Sequence, residues 1–382
     1  MPPEEMPVAA FPEQRSGSRL SPSALTLVVG VSAVAALFAY DRLVANVYLV
    51  GQWKVSPLEW LFLVSLAVLA ALIVAMVRRR RDAARVWRRF RTDTGAVVAL
   101  AVLAAVVIAG LIGPVVRPVS HNLLAATQPP VFLATDGVNV PSCVGRMTDG
   151  RCHGSFRYPL GTDHFGRDTL ALTFAGARVA TMLAFVAALL IAPLATVVGL
   201  LAGYRGGRLD GALMAGIDAQ QTLPAVIVYV LLVSLLSRSL GLFVVLFGLF
   251  SWGSAARLIR SEAQKQRELG YVLAARNLGA DTGHLLRRHL LPNVSSAVVT
   301  ATAHLVPVLV LTEAAIAYLD LTNPDLLSWG RTVAVATDPD LAPVWEQWWV
   351  APPSVLTLAA MAVACKVVGD GLRDALDPRG ER

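Results

Sequence analysis

The sequence predicts an all-α, polytopic membrane protein with about eight transmembrane helices. Of its 382 residues, 55% are hydrophobic and only 15% are charged, whereas a soluble domain carries about 25% charged residues. The apolar residues also gather into long uncharged runs. About 20 such residues span about 30 Å of hydrocarbon as a helix.

In chain order the expected spans are Leu20–Tyr40, Trp60–Val77, Gly95–Val116, Val179–Tyr204, Ala219–Ser237, Ser239–Ala256, Val294–Tyr318 and Trp348–Cys365. The first is long for a cleaved signal peptide and its leading region is mixed in charge, so it is read as a retained helix. A polar stretch rich in Pro, Gly, Asp and Thr follows the third span, and a Gly206-Gly207 turn ends the fourth.

Charge sets the orientation. Eight arginines lie between Arg78 and Arg91, and seven basic residues between Arg257 and Arg288. Both clusters flank apolar runs, where basic residues mark the cytoplasmic side. The loop 320–347 falls on the opposite side, and there acids outnumber bases five to one. Both termini are expected to be cytoplasmic, with 41–59 and 117–176 outside and 78–94 and 257–293 inside. The net charge of +7 thus has a membrane explanation, and no aromatic-studded basic domain points to nucleic acid,. Trp53, Trp60, Trp345, Trp348 and Trp349 fall near expected outer helix ends, an interface that suits indoles,.

Three cysteines are too few for a disulfide framework, and no CxxC metal pattern is present,. Cys143 and Cys152 share the outer polar segment with Gly145 and Gly150 between them, which lets the chain turn back,. On an oxidising side they are expected to pair, the alternative being two free thiols. The sequence contains no GxxxxGK[ST] phosphate loop, no HExxH and no GxSxG,. It therefore offers no ATPase site, catalytic residue, metal site or bound cofactor of its own.

The most informative segment is YVLAARNLGADTGHLLRRHLLPN at 271–293. Tyr271–Leu278 is a run of helix formers that Gly279 is placed to end. Small residues Ala274 and Ala275 let a partner's backbone approach closely. An ordinary basic connector with one helical turn fits the same physics. Two carboxylates also stand out: Glu313 lies within the seventh span, where a charge needs a cavity or a partner, and Asp218 lies at the entry to the fifth,. Glu313 either lines a path or packs against a neighbour.

The 271–293 segment resembles the signature loop of ABC-importer permeases, with Ala274, Ala275, Gly279, Leu291 and Pro292 on the pattern and Leu273 where that family carries Glu. PLGTDHFGRD (159–168), GARV (176–179), AGYRGGRLDGALM (202–214), SWGR (328–331) and GDGLRDALDPR (369–379) are similar to the peptide/nickel-type permeases, specifically their C-type subunit. The resemblance covers roughly 88–378. It implies a type I importer permease core at 93–382, with a first core helix at 95–116, an outer loop at 117–176, a five-helix bundle at 177–368 and a cytoplasmic tail at 369–382. An N-terminal extension, 1–92, adds two helices and a basic loop. The resemblance further implies ATP-driven import of di- or oligopeptides, with nickel or sugars as alternative cargo. The expected partners are a second permease, an extracellular or periplasmic solute-binding protein, and two cytoplasmic ATPases that bind ATP and Mg. Tyr271, Leu273, Ala274, Ala275 and Gly279 would form the ATPase-docking coupling helix, and Glu313 and Asp218 the translocation path. A secondary carrier or channel is the rival class, and no internal repeat supports it.

Overall fold

The computed structural model describes residues 21–376 other than 42, 44–55, 79, 237, 324 and 342. Helices dominate because lipid offers backbone polar groups no partner. Helix α1 (Pro22–Tyr40) is opened by Ser21, whose hydroxyl accepts from the Ala24 N–H at 3.2 Å,. Helix α2 (Pro57–Arg78) starts with a capping box: the Glu59 carboxylate accepts from the Ser56 N–H at 2.8 Å, and Ser56 Oγ accepts from the Glu59 N–H at 3.3 Å,. Helix α3 (Arg80–Phe90) carries the arginine cluster. Helix α4 (Thr94–Val116) is capped by Asp93, which accepts from the Ala96 N–H at 3.1 Å.

Asp168 caps α5 (Thr169–Val186), which passes through a π turn at Ala187–Ile191 into α6 (Ala192–Arg205), giving 37 residues of continuous helix. The expected fourth span began at Val179, too late. The polar residues before it face protein, so polarity there does not mark a loop. The expected fifth span, Ala219–Ser237, is not one straight helix. Helices α7 (Gly207–Thr222) and α8 (Ala225–Leu235) meet at 66°, because Pro224 disfavours helical backbone at Leu223,.

Helix α9 (Leu240–Arg267) continues well beyond Ala256, so the basic connector starts only after Arg267. That connector holds α10 (Gly270–Asn277), α11 (Thr282–Leu285), a π turn at Leu286–Leu290 and α12 (Leu291–Asn293). Helix α13 (Ser295–Tyr318) crosses back to a short α14 (Trp329–Ala336), and α15 (Ala351–Leu376) absorbs the start of the expected tail at 369. Among the described residues, seven helices are long and apolar enough to cross a membrane, or eight with the bent pair counted as one span.

The main core joins α5, α8, α9 and α13 through Leu183, Tyr229, Phe243 and Ile316, and Leu58 and Phe62 of α2 belong to it. Helix α1 packs on α2: a Cβ at Gly30 would lie 2.8 Å from the Ala67 Cβ, and none of the α1 residues is buried. The arginine helix α3 is anchored by Phe90 against Ala96 and Ala375. The outer segment after α4 folds into a cap with a small antiparallel sheet, β1 (Ala134–Asp136), β2 (Met147–Thr148) and β3 (Arg151–His153), in the order β1-β3-β2. Cys143 and Cys152 are disulfide-bonded there. Of the tryptophans read as interfacial, Trp60 and Trp349 are instead buried, whereas Trp345 and Trp348 are exposed. Trp53 lies outside the described residues.

Candidate functional site

The basic connector between α9 and α13 brings Tyr271, Leu273, Ala274, Ala275 and Gly279 onto or next to one short element. Val272 alone is buried in α10, seated in a second core with Ile259, Ala263, Leu285 and Leu290. The helix ends in a Schellman motif: the Ala280 N–H donates to the Ala275 carbonyl at 3.2 Å and the Gly279 N–H to the Arg276 carbonyl at 3.0 Å,. Gly279 adopts φ +85°, and a Cβ there would meet open space. Glycine is thus required by backbone conformation rather than by crowding within the chain.

Around that single anchor the surface is mixed, with apolar side chains exposed beside Glu268, Arg276 and Asn277. Leu269, Tyr271 and Leu273 are exposed, and Leu278 is 89% exposed. Ala274 is exposed as well, whereas Ala275 leans against the second core. Burial pushes the Tyr271 phenol above its ordinary value of 10.0, and its hydroxyl and Gln266 Oε1 lie 3.0 Å apart. Beside the helix opens a polar cleft of about 700 Å³, lined among others by Glu262, Lys265, Asn293 and Ser296. A run of large apolar side chains outside the bilayer marks a surface another protein covers.

This end is braced to the membrane bundle. Gly203 allows α6 to meet α9 closely, since a Cβ there would lie 2.7 Å from the Ala263 Cβ and from the Arg260 carbonyl oxygen. Arg260 forms a two-pronged ion pair with Asp210 of α7, one prong at 2.5 Å, and Arg267 donates to the Gly203 carbonyl at 3.0 Å. The AGYRGGRLDGALM stretch therefore works as a joint between α6, α7 and α9. The Asp210–Arg260 pairing escaped sequence reading because its partners lie 50 residues apart.

The two candidate path carboxylates are not brought together. Asp218 is exposed on α7 and pairs with Arg257 at 3.1 Å, which gives it a bracing role. Glu313 lies toward the other end of α13 and is only 3% exposed, enclosed by this subunit's own core within reach of Ser328. Its Oε1 has no hydrogen-bond partner among the described residues. That enclosure suits the packing alternative.

At the opposite end of the bundle from α10, TDHFGRD is a structural knot. The Asp163 carboxylate is fully buried, accepts from Arg167 Nε at 2.7 Å, and also accepts from the Phe165 and Arg167 N–H groups at 3.0 and 2.8 Å. Gly166 holds φ +69° with its α-carbon pressed toward the Asn122 carbonyl, where no side chain fits. Asp168 pairs with Arg117, closing the cap over the ends of α4 and α5. Trp349 Nε1 donates to the Thr162 carbonyl at 3.2 Å. His164 sits beside Gln347, and burial pushes its imidazole below 6.5 against the opposing pull of Asp163.

Residues 195–382 match the family of binding-protein-dependent transport system inner membrane components, and residues 83–130 match the N-terminal TM domain of oligopeptide transport permease C. The chain is 34% identical to a peptide permease protein of Brucella suis over 228 residues, covering 59% of this chain and 75% of the relative. It is 29% identical to the dipeptide transport system permease protein DppC of Bacillus subtilis over 297 residues, 78% of this chain and 85% of the relative. With the oligopeptide transport system permease protein OppC of Bacillus subtilis it shares 30% over 295 residues, 76% and 88% respectively.

A helical membrane bundle carried by a chain with these relatives defines the membrane-spanning permease subunit of an ABC importer. The chain belongs to the family of binding-protein-dependent transport system inner membrane components.

Proposed function

We propose that this subunit translocates di- or oligopeptides across a prokaryotic inner membrane by alternating access, driven by cytoplasmic ATPases. The observation that carries the reading is α10, one buried valine under an exposed apolar surface at the end of a braced helix pair. Two ATPase subunits, which bind ATP and Mg, dock on this helix and its counterpart in a second, homologous permease. Closure of the ATPases moves α10, and the ion pairs of Arg260 and Arg257 with α7 pass that motion into the bundle. A solute-binding protein delivers cargo to the outer face, where the cap lies. This subunit performs no covalent chemistry. The arginine-rich α3 supports cytoplasmic termini and an outer location for the cap,. The peptide cargo rests on the names borne by the relatives of this chain.

The test is uptake of a radiolabelled dipeptide and a radiolabelled pentapeptide into vesicles reconstituted with both permeases, the ATPase pair and the binding protein. Uptake is expected only with ATP and binding protein together. ATP-independent uptake would place the chain among secondary carriers, and ATP-driven uptake of nickel or a sugar alone would exclude peptide cargo.

A further inference from the structure

Polar side chains are unevenly distributed over the membrane helices. Helix α4 has no Ser, Thr, His or charged residue between Gly95 and Val116, and its exposed positions include Val98, Ile108, Leu111 and Ile112. Helix α15 likewise exposes Val355, Leu356 and Val363. Those faces suit lipid. Helices α9 and α13 differ, and α13 is the least hydropathic of the membrane-crossing helices. Between them, with Ala225 of α8 at its edge, runs a groove of about 270 Å³ whose walls are mostly apolar but include Ser251, Ser254, His304 and Thr312. Leu258 lines both this groove and the 700 Å³ cleft beside α10, so the two form one strip leading to the cytoplasmic end.

His304 decides what this strip faces. It is exposed and is the tenth residue of α13, about 14 Å along the helix at 1.5 Å per residue. An ionisable side chain at that depth faces a bundle interior or a water-filled cavity rather than lipid. Lys366 of α15 is also exposed, but its long stem carries the ammonium toward the interface,. An imidazole has no such reach.

We infer that the α9–α13 groove is this subunit's wall of the translocation path, completed by the second permease, and that His304 is a specificity-determining residue acting on the charge of the passing peptide. The path therefore runs along Ser251, Ser254, His304 and Thr312, and neither Glu313 nor Asp218 lines it. The inference rests on the importer reading and adds the place where cargo meets this chain.

The experiment uses the full reconstituted complex with Cys365→Ser, leaving the Cys143–Cys152 bridge intact. Single cysteines replace Ser254, His304 and Thr312 in the groove, Val98, Ile108 and Val363 on the lipid face, and Ser261 at the aqueous end. A charged, impermeant methanethiosulfonate is applied without nucleotide and after vanadate trapping. The groove cysteines are expected to react in at least one state, and the lipid-face cysteines in neither. A His304→Cys thiol that is inert in both states, while Ser261→Cys reacts, would overturn the path assignment.

Specificity is read from uptake by His304→Lys and His304→Gln. A unit charge about 6 Å from a passing charge corresponds to about 0.7 kcal/mol even in water, or about threefold. The ratio of lysine-containing to uncharged peptide taken up is expected to fall at least about threefold in His304→Lys relative to His304→Gln. An unchanged ratio would remove the specificity role. Thiol labelling is independent of cargo, so labelled groove cysteines in a complex that takes up no peptide would refute the cargo and leave the path standing.

Discussion

Replacing Arg167 with alanine tests whether the outer cap is a built structure. The Asp163 side chain is 0% exposed and that of Arg167 9%, with 2.7 Å between Nε and Oδ2. Removing one member of a buried pair strands the other charge, at a cost of about 3–5 kcal/mol. The Phe165 and Arg167 N–H groups still donate to Asp163, which places the loss near the lower figure. The guanidinium also sits 4.8 Å from the Phe165 ring centroid, a contact worth about 0.5–1 kcal/mol. A total of about 3–4 kcal/mol raises the open population of the cap at least 100-fold, at about 1.4 kcal/mol per decade. Hydrogen–deuterium exchange of the protein in nanodiscs reads this directly: amides of 159–170 are expected to exchange about 100-fold faster, with α4 unchanged. Adding Asp163→Asn should recover part of the loss, because a buried amide needs no countercharge. Unchanged exchange in Arg167→Ala, or no recovery in the double variant, would refute the argument.

Other outcomes follow from the same geometry. Cys143→Ser should cost the cap about 2–3 kcal/mol through loss of a short covalent loop, read as faster exchange of β3, whose Cys152 is fully buried,; equal exchange would show that the sheet does not depend on the bridge. Because burial lowers the His164 pKa, the unfolded cap binds the proton more readily, so stability is full above 6.5 and falls as the pH drops below it,; the protection factors at 159–170, which divide out the intrinsic pH dependence of amide exchange, should fall between pH 7 and 5.5, and this fall should vanish in His164→Gln. Glu59 Oε1 accepts from Arg178 Nη2 at 2.6 Å, joining α2 to α5. With Arg178 41% exposed, a double-mutant cycle of Glu59→Gln and Arg178→Gln on thermal unfolding should give about 1 kcal/mol, and zero coupling would leave the packing of Leu58 and Phe62 as the link between α2 and the core.

Membrane spans were legible where lipid imposes one rule on every residue. The run Gly95–Val116 matches α4 almost to the residue. Legibility fell where protein replaces lipid as the neighbour. The start of α5 carries Thr169, Thr173 and Gly176, which read as loop, yet all three are buried and Gly176 admits the Trp329 ring. The signal that marked the true start was the Asp168 cap. The α7–α8 bend was announced by Pro224 but hidden inside an apolar run. Gly279 was read correctly as a helix terminator from local chemistry alone. Glu313 showed that something unusual lies in α13, but composition cannot tell a buried carboxylate from one lining a path, because that depends on which face of the helix meets the core. For the extension the sequence shows two added helices but not what they touch, because Leu58 and Phe62 reach the main core through contacts distant in the chain.

The central claim is that α10 transmits ATPase motion, and Gly279 offers the cleanest measurement. At φ +85° any side chain adds about 1 kcal/mol of backbone strain,, and the Cβ direction is open within this chain. Gly279→Ala therefore reports strain alone, and Gly279→Trp adds bulk on the docking surface. Uptake by reconstituted vesicles is measured beside co-purification of the ATPase pair, with Leu273→Glu as the control that restores the usual family residue. The account predicts near-normal transport for Gly279→Ala and Leu273→Glu, and background transport with weakened ATPase capture for a Gly279→Trp chain that still inserts. Full transport by Gly279→Trp with the ATPases still bound would contradict it.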